Sequence, residues 1–111
     1  MTVKELLSHL ALEIAAGEEG LSHEINGGFT GDLLSMVVAS AKDKDIWMTV
    51  QGNENAVAVT VMAGIAAIVL TEGIEPSEIM IQKANEYNMP ILKTKLSSFE
   101  MSIEINKLLF N

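Results

Sequence analysis

Three short polar segments hold the residues best equipped for chemistry: TVQGN at 49–53, TEG at 71–73 and KTKLS at 93–97, each following an apolar run. Thr49, Gln51, Asn53, Thr71, Thr94 and Lys95 there offer hydroxyl, amide and ammonium groups beside positions where helices should begin. Unpaired N–H groups at a helix start favour negative charge, so the set suits a small anionic metabolite, an adenine nucleotide included. Capping alone also accounts for Thr, Asn, Gly and Ser at strand-to-helix turns, and both readings stand at this stage. A fourth segment, HEINGGFTGDLLS at 23–35, brings adjacent glycines before an aspartate and an apolar run. GGFTGD fits neither GxGxxG nor GxxxxGK[ST] and is not a phosphate loop by motif. Gly27 and Gly28 are expected to supply positive φ or a close backbone approach, with Thr30 or Asp32 capping the helix that follows.

Other chemistries lack their residues. The chain has no cysteine and two histidines, which leaves no thiolate nucleophile, no disulfide and little for a metal site. No GxSxG or HExxH occurs, and no P-loop or metal-carboxylate cluster supports phosphoryl transfer. His23, beside the glycines, reads more readily as a hydrogen-bonded connector residue than as a base. Seven basic against fifteen acidic residues give a net charge of -8, which would repel a nucleic-acid backbone. No catalytic residue, cofactor or metal is expected.

The elements that must position these groups follow from period and capping. Thr2 with Glu5 forms a capping box for a first helix carrying Leu6, Leu7 and Leu10, followed by a short strand at 12–15 and an acidic turn at 17–20. Residues 22–26 read as a polar connector or short edge strand. A helix from Gly31 or Asp32 carries a wide apolar stripe of Leu33, Leu34, Met36, Val37, Val38 and Ala41. KDKD at 42–45 is a solvated turn and 46–50 a strand. Asn53 caps a helix over about 54–63 that Gly64 closes. AAIVL at 66–70 is a buried strand, and Pro76 opens a helix that Asn88 ends. PILK at 90–93 is the last strand, and Ser97 with Glu100 forms a second capping box before a final helix.

Strands separated by helices of about ten residues imply crossover connections and a mostly parallel sheet covered on both faces. The expected architecture is α/β: a single three-layer sandwich of βα repeats, one domain over 1–111. The apolar run at 56–70 is shorter than the roughly 20 residues of a membrane span, and the N-terminus has no secretory pattern, so a cytoplasmic place is expected. The stripe containing Leu33, Met36 and Val37, set in place by Gly27, Gly28 and Asp32, exceeds what one small face must cover, and it points to a homodimer seam.

The segments GGFTGDLLS, IWMTVQGNENAVAVTVMAGIAAIVLTEG and MPILKTKLSSFE resemble a stand-alone DRTGG domain, over roughly residues 12–109. The resemblance implies a fold related to the N-terminal domain of HPr kinase/phosphorylase, without that enzyme's P-loop, in a family of regulatory and dimer-forming modules. Such domains occur fused to CBS modules, including in pyrophosphatases that respond to adenine nucleotides. Laid against the name-giving motif, EINGG at 24–28 keeps the two glycines and loses the arginine, the side chain able to grip a phosphate bidentately. The expected function is a non-catalytic, ligand-sensing and dimerising module; the alternative is an interaction subunit of a metabolic enzyme system with no ligand of its own.

Overall fold

The computed structural model describes residues 1–110. Its elements are α1 (Val3–His9), β1 (Glu13–Ala16), β2 (Gly27–Thr30), α2 (Leu34–Ser40), β3 (Asp45–Thr49), α3 (Glu54–Ala63), β4 (Ala67–Leu70), α4 (Glu78–Glu86), β5 (Ile91–Lys93) and α5 (Ser98–Phe110), with a 3-10 turn at Glu18–Gly20. Among the described residues the strands form one sheet of order β1-β5-β4-β3-β2, in which β2 to β5 are parallel and β1 runs antiparallel to β5. This is the expected α/β sandwich with a mostly parallel sheet. No helix among the described residues is long and apolar enough to cross a membrane.

The order of the strands decides which face each helix covers. From β2 to β5 every strand lies beside its predecessor, so right-handed crossovers set α2, α3 and α4 on one face. Val37, Val57, Val59, Met80 and Ala84 from those helices share a buried cluster with Trp47, Ile68, Leu70 and Ile91. The other face is closed from outside the ladder, by Val3 and Leu6 of α1 and Met101 and Ile105 of α5 against Ile46, Met48, Val69 and Leu92.

Local chemistry fixes the element ends. Thr2 Oγ1 accepts the Glu5 N–H at 3.1 Å and the Glu5 carboxylate accepts the Thr2 N–H at 3.2 Å, the reciprocal capping box. Asn53 Oδ1 accepts the Asn55 N–H at 3.0 Å, and Gly64, at φ 70°, ends α3 in the left-handed conformation that glycine adopts without a Cβ penalty. Ser97 and Glu100 repeat the reciprocal arrangement ahead of α5.

Several expected details come out differently. GGFT at 27–30 is not a loop but strand β2, and Gly27 and Gly28 have no positive φ, because pairing with β3 outweighs the weak strand preference of glycine. Asp32 does not cap α2, whose first turn has no side-chain cap; its carboxylate is turned to β3. Asp45 belongs to β3 rather than a solvated turn, buried with its carboxylate accepting the Lys42 N–H at 2.8 Å. Ser77, one residue after Pro76, caps α4 by accepting the Met80 N–H at 3.1 Å.

Candidate functional site

The carboxyl ends of β2, β3, β4 and β5 lie along one edge of the sheet, and the loops that follow them carry the predicted polar groups there. These groups bond chiefly to one another. Asp32 accepts the Thr49 hydroxyl at 2.8 Å and the Val50 N–H at 2.9 Å through Oδ1, while its carbonyl accepts Gln51 Nε2 at 2.7 Å. Gln51 Oε1 accepts Asn53 Nδ2 at 3.0 Å, and Asn53 is held to α3 by its cap. Thr71 donates weakly to the Thr49 carbonyl at 3.4 Å and shares a hydrogen bond with the Ser98 hydroxyl at 2.6 Å. Ser102 donates to the Ser98 carbonyl and bonds the Thr30 hydroxyl, each at 2.6 Å. A polar seam therefore stitches β2, β3, β4 and α5 together.

Of the six predicted ligand groups, Thr49, Gln51, Asn53 and Thr71 have partners within the seam. Thr49 and Thr71 are fully buried, and no buried side-chain polar atom among the described residues lacks a partner. Thr94 Oγ1 accepts the Leu96 N–H at 3.1 Å, a local turn bond. Lys95 is exposed, beside a depression of about 80 Å³ that Lys93, Thr94, Gly73 and Glu75 also line. That is well below the roughly 300 Å³ at which small-molecule pockets begin. Lys93 there donates to Glu75 at 2.8 Å and lies 3.5 Å from Glu13; hydrogen bonding to Glu75 first, then the two carboxylate charges, raise its pKa above the ordinary lysine value against partial desolvation. Glu5 is the other shifted group, held below the ordinary carboxylate value by the backbone and side-chain hydrogen bonds from Thr2. Its shift is a property of the cap.

Apart from Asp32, which is part of the seam, the second predicted set lies around the edge strand β2. Gly27 and Gly28 sit in β2, the outermost strand. A Cβ on Gly27 would come within 2.8 Å of Asp45 Oδ1 and force that carboxylate to shift, whereas a Cβ on Gly28 would meet nothing closer than 3.5 Å. Leu33, just ahead of α2, and Met36 within it are 64% and 49% exposed, and Val37, next to Met36, is fully buried in the core, so it belongs to packing rather than to an outer face. A groove of about 630 Å³ runs along Gly27, Gly28 and Phe29 to Ser40 and Lys42, and one of about 180 Å³ lies between Gly28, Thr30 and Ser102 on α5. A further groove of about 460 Å³, lined by Ala58, Val61, Met62 and Tyr87, opens between α3 and α4. His23 donates from Nδ1 to the Ala66 carbonyl at 3.0 Å, which fits a clamp between loop and strand. Ser98 and Ser102, absent from the predicted set, are joined to it only in three dimensions, although their i, i+4 spacing on one helix face is visible in the sequence.

A family model described as "DRTGG domain" matches residues 5–108. Among curated proteins none matches the chain by sequence. The fold is shared with a solved structure of the CBS and DRTGG domains of the regulatory region of Clostridium perfringens pyrophosphatase, complexed with its activator diadenosine tetraphosphate. The TM-score is 0.66 at 19% identity, and the match covers 92% of this chain and 44% of that one. The chain thus spans less than half the length of that neighbour.

Proposed function

The chain belongs to the DRTGG domain family, and we propose that it is a non-catalytic regulatory module of the cytoplasm that acts by self-association. One observation carries the reading: Leu33, just ahead of α2, and Met36, in its first turn, stand exposed at 64% and 49%, and α2 directly follows the edge strand β2. Leaving two large apolar side chains in water costs free energy that a covering partner removes, about 25 cal/mol per Å² of apolar surface. The regulatory character is supported by the structural neighbour, a regulatory region that carries a DRTGG domain. The non-catalytic character is supported by the same neighbour, whose solved part is a regulatory region.

Light scattering tests the reading. The wild-type chain should be dimeric at micromolar concentration, and Met36→Glu, at a position exposed enough to tolerate the charge, should shift it toward monomer. A wild-type monomer throughout the accessible range would remove the self-association reading.

A second reading is favoured by the neighbour's complex with an adenine dinucleotide. In it the chain senses an anionic nucleotide at the carboxyl edge, where Lys95, Gln51 and Thr94 would have to leave their present arrangement to open a cavity. Thermal shift against AMP, ATP and diadenosine tetraphosphate addresses it. A flat response at millimolar nucleotide would remove it, leaving an interaction module without a ligand of its own.

A further inference from the structure

We propose that the open edge of β2 pairs, antiparallel, with β2 of a second copy of this chain, joining two sheets into one around a two-fold axis at Phe29. The inference rests on the self-association reading and names its surface.

The two outer edges of the sheet are built differently. β1 is protected in the manner of natural edge strands, with a register irregularity between Ile14 and Ala16 and Glu13 held against Lys93. β2 has neither device. Residues 26–31, NGGFTG, carry no charge, and the charged groups lining the groove beside them, Lys42, Asp43 and Asp45, are of mixed sign. The backbone there is left open. Gly31 donates to the Met48 carbonyl at 3.2 Å, and the register sets Gly27 against Asp45 and Phe29 against Trp47. Backbone direction alternates along a strand, so Gly27, Phe29 and Gly31 turn to β3, while Gly28 and Thr30 turn their N–H and C=O groups outward.

That spacing is self-complementary. With an axis at Phe29, Gly28 of one copy lies opposite Thr30 of the other, and each such pair exchanges two N–H···O bonds, four in all. The two Phe29 residues then form the close pair between them, where aromatic side chains on one face interact best. An extended backbone is the protein segment that matches such an edge bond for bond, and this register lets the chain's own strand do so.

Four paired residues are too little for a stable interface, which needs roughly 800 Å² per partner, so the flanks must contribute. They have the surface for it. Met36 and Ser40 share one side of α2 at a spacing of four, Leu33 stands exposed just ahead of the helix, and Ser40 borders the groove along β2. On the other face Phe110 of α5, 62% exposed, lines both grooves that meet at Gly28. Gly28 itself has room for a Cβ within its own chain, so internal packing does not require its bareness.

Gly28→Pro tests the pairing. Its N–H faces outward, so proline removes no bond to β3 and the monomer should keep its fold and circular dichroism. The dimer should be lost, with the apparent dissociation constant raised at least tenfold by analytical ultracentrifugation, while Val61→Glu in the α3–α4 groove should leave it unchanged. Hydrogen exchange on the wild type gives an arm independent of any variant: Gly28 and Thr30 amides should become protected as concentration rises, and exchange freely on dilution. A dimer with both amides unprotected, or one that survives Gly28→Pro and dissociates with Val61→Glu, overturns the β2 pairing and leaves self-association standing. A monomer at every concentration overturns both, and the edge is then left to an extended strand of another protein.

Discussion

Replacing Asp32 by alanine tests whether the carboxyl edge is held by its own polar seam. The carboxylate accepts two hydrogen bonds, from the Thr49 hydroxyl at 2.8 Å and the Val50 N–H at 2.9 Å. Thr49 is fully buried, so its donor is stranded when the acceptor goes, a loss of about 1.5 kcal/mol for a bond to a charged group. Val50 is more open to water, which can replace its partner, and contributes about 0.5 kcal/mol. The total is about 2 kcal/mol. Over 111 residues, an unfolding entropy of about 2.1 cal/mol/K per residue converts this to a Tm lower by about 9 °C, readable by calorimetry. A double-mutant cycle with Thr49→Val isolates the shared bond: the double variant should be less destabilised than the sum of the singles by about 1 kcal/mol. Strict additivity, or a Tm change within about 2 °C, would refute the seam. So would a loss confined to α2 helicity, which is what a capping role for Asp32 predicts.

Two more perturbations address the frame around the site. Gly64→Ala should destabilise by at least about 1 kcal/mol, because φ 70° strains any residue with a Cβ and the added atom would meet Asp43 Oδ1; chemical denaturation measures it. The raised pKa of Lys93 gives the sign of an alkaline effect. A cation stabilised in the fold contributes fully below the ordinary lysine pKa, and that contribution is lost as pH rises through the raised value. Lys93→Met should therefore flatten the fall of melting temperature at the alkaline end, and an unchanged profile would count against the Glu75 pair.

The parts of the fold legible in the sequence are those specified locally. Thr2 with Glu5, Asn53, Gly64 and Ser97 with Glu100 each end an element through contacts within a few residues, so composition and spacing expose them. AIVL in β4 is legible because a strand covered on both faces is apolar throughout. Strand β2 was hidden for the opposite reason. Two glycines have little strand preference, and what makes GGFT a strand is pairing with β3 and the close approach of Asp45, a residue eighteen positions away. The role of Asp32 is hidden on similar grounds, since an aspartate before an apolar run reads as a cap and its actual partners, Thr49 and Val50, lie across a crossover.

The candidate ligand residues were legible by position and not by state, and topology explains the gap. Open α/β sheets make binding crevices where the strand order reverses, because adjacent connections then leave to opposite faces and the loops part. Here β2 to β5 follow one another without reversal, so their connecting helices stack on one face and no such parting occurs. After β5 the chain passes to the other face and α5 runs back against β2 and β3, carrying Ser98 and Ser102 onto Thr71 and Thr30. The hydroxyls and amides that a ligand would need are thereby joined to one another. What the same topology leaves unjoined is the far side of β2, where among the described residues no strand lies beyond Gly28 and Thr30. In the self-association reading, a chain that closes its carboxyl edge internally and leaves a lateral one open offers that lateral edge to another strand.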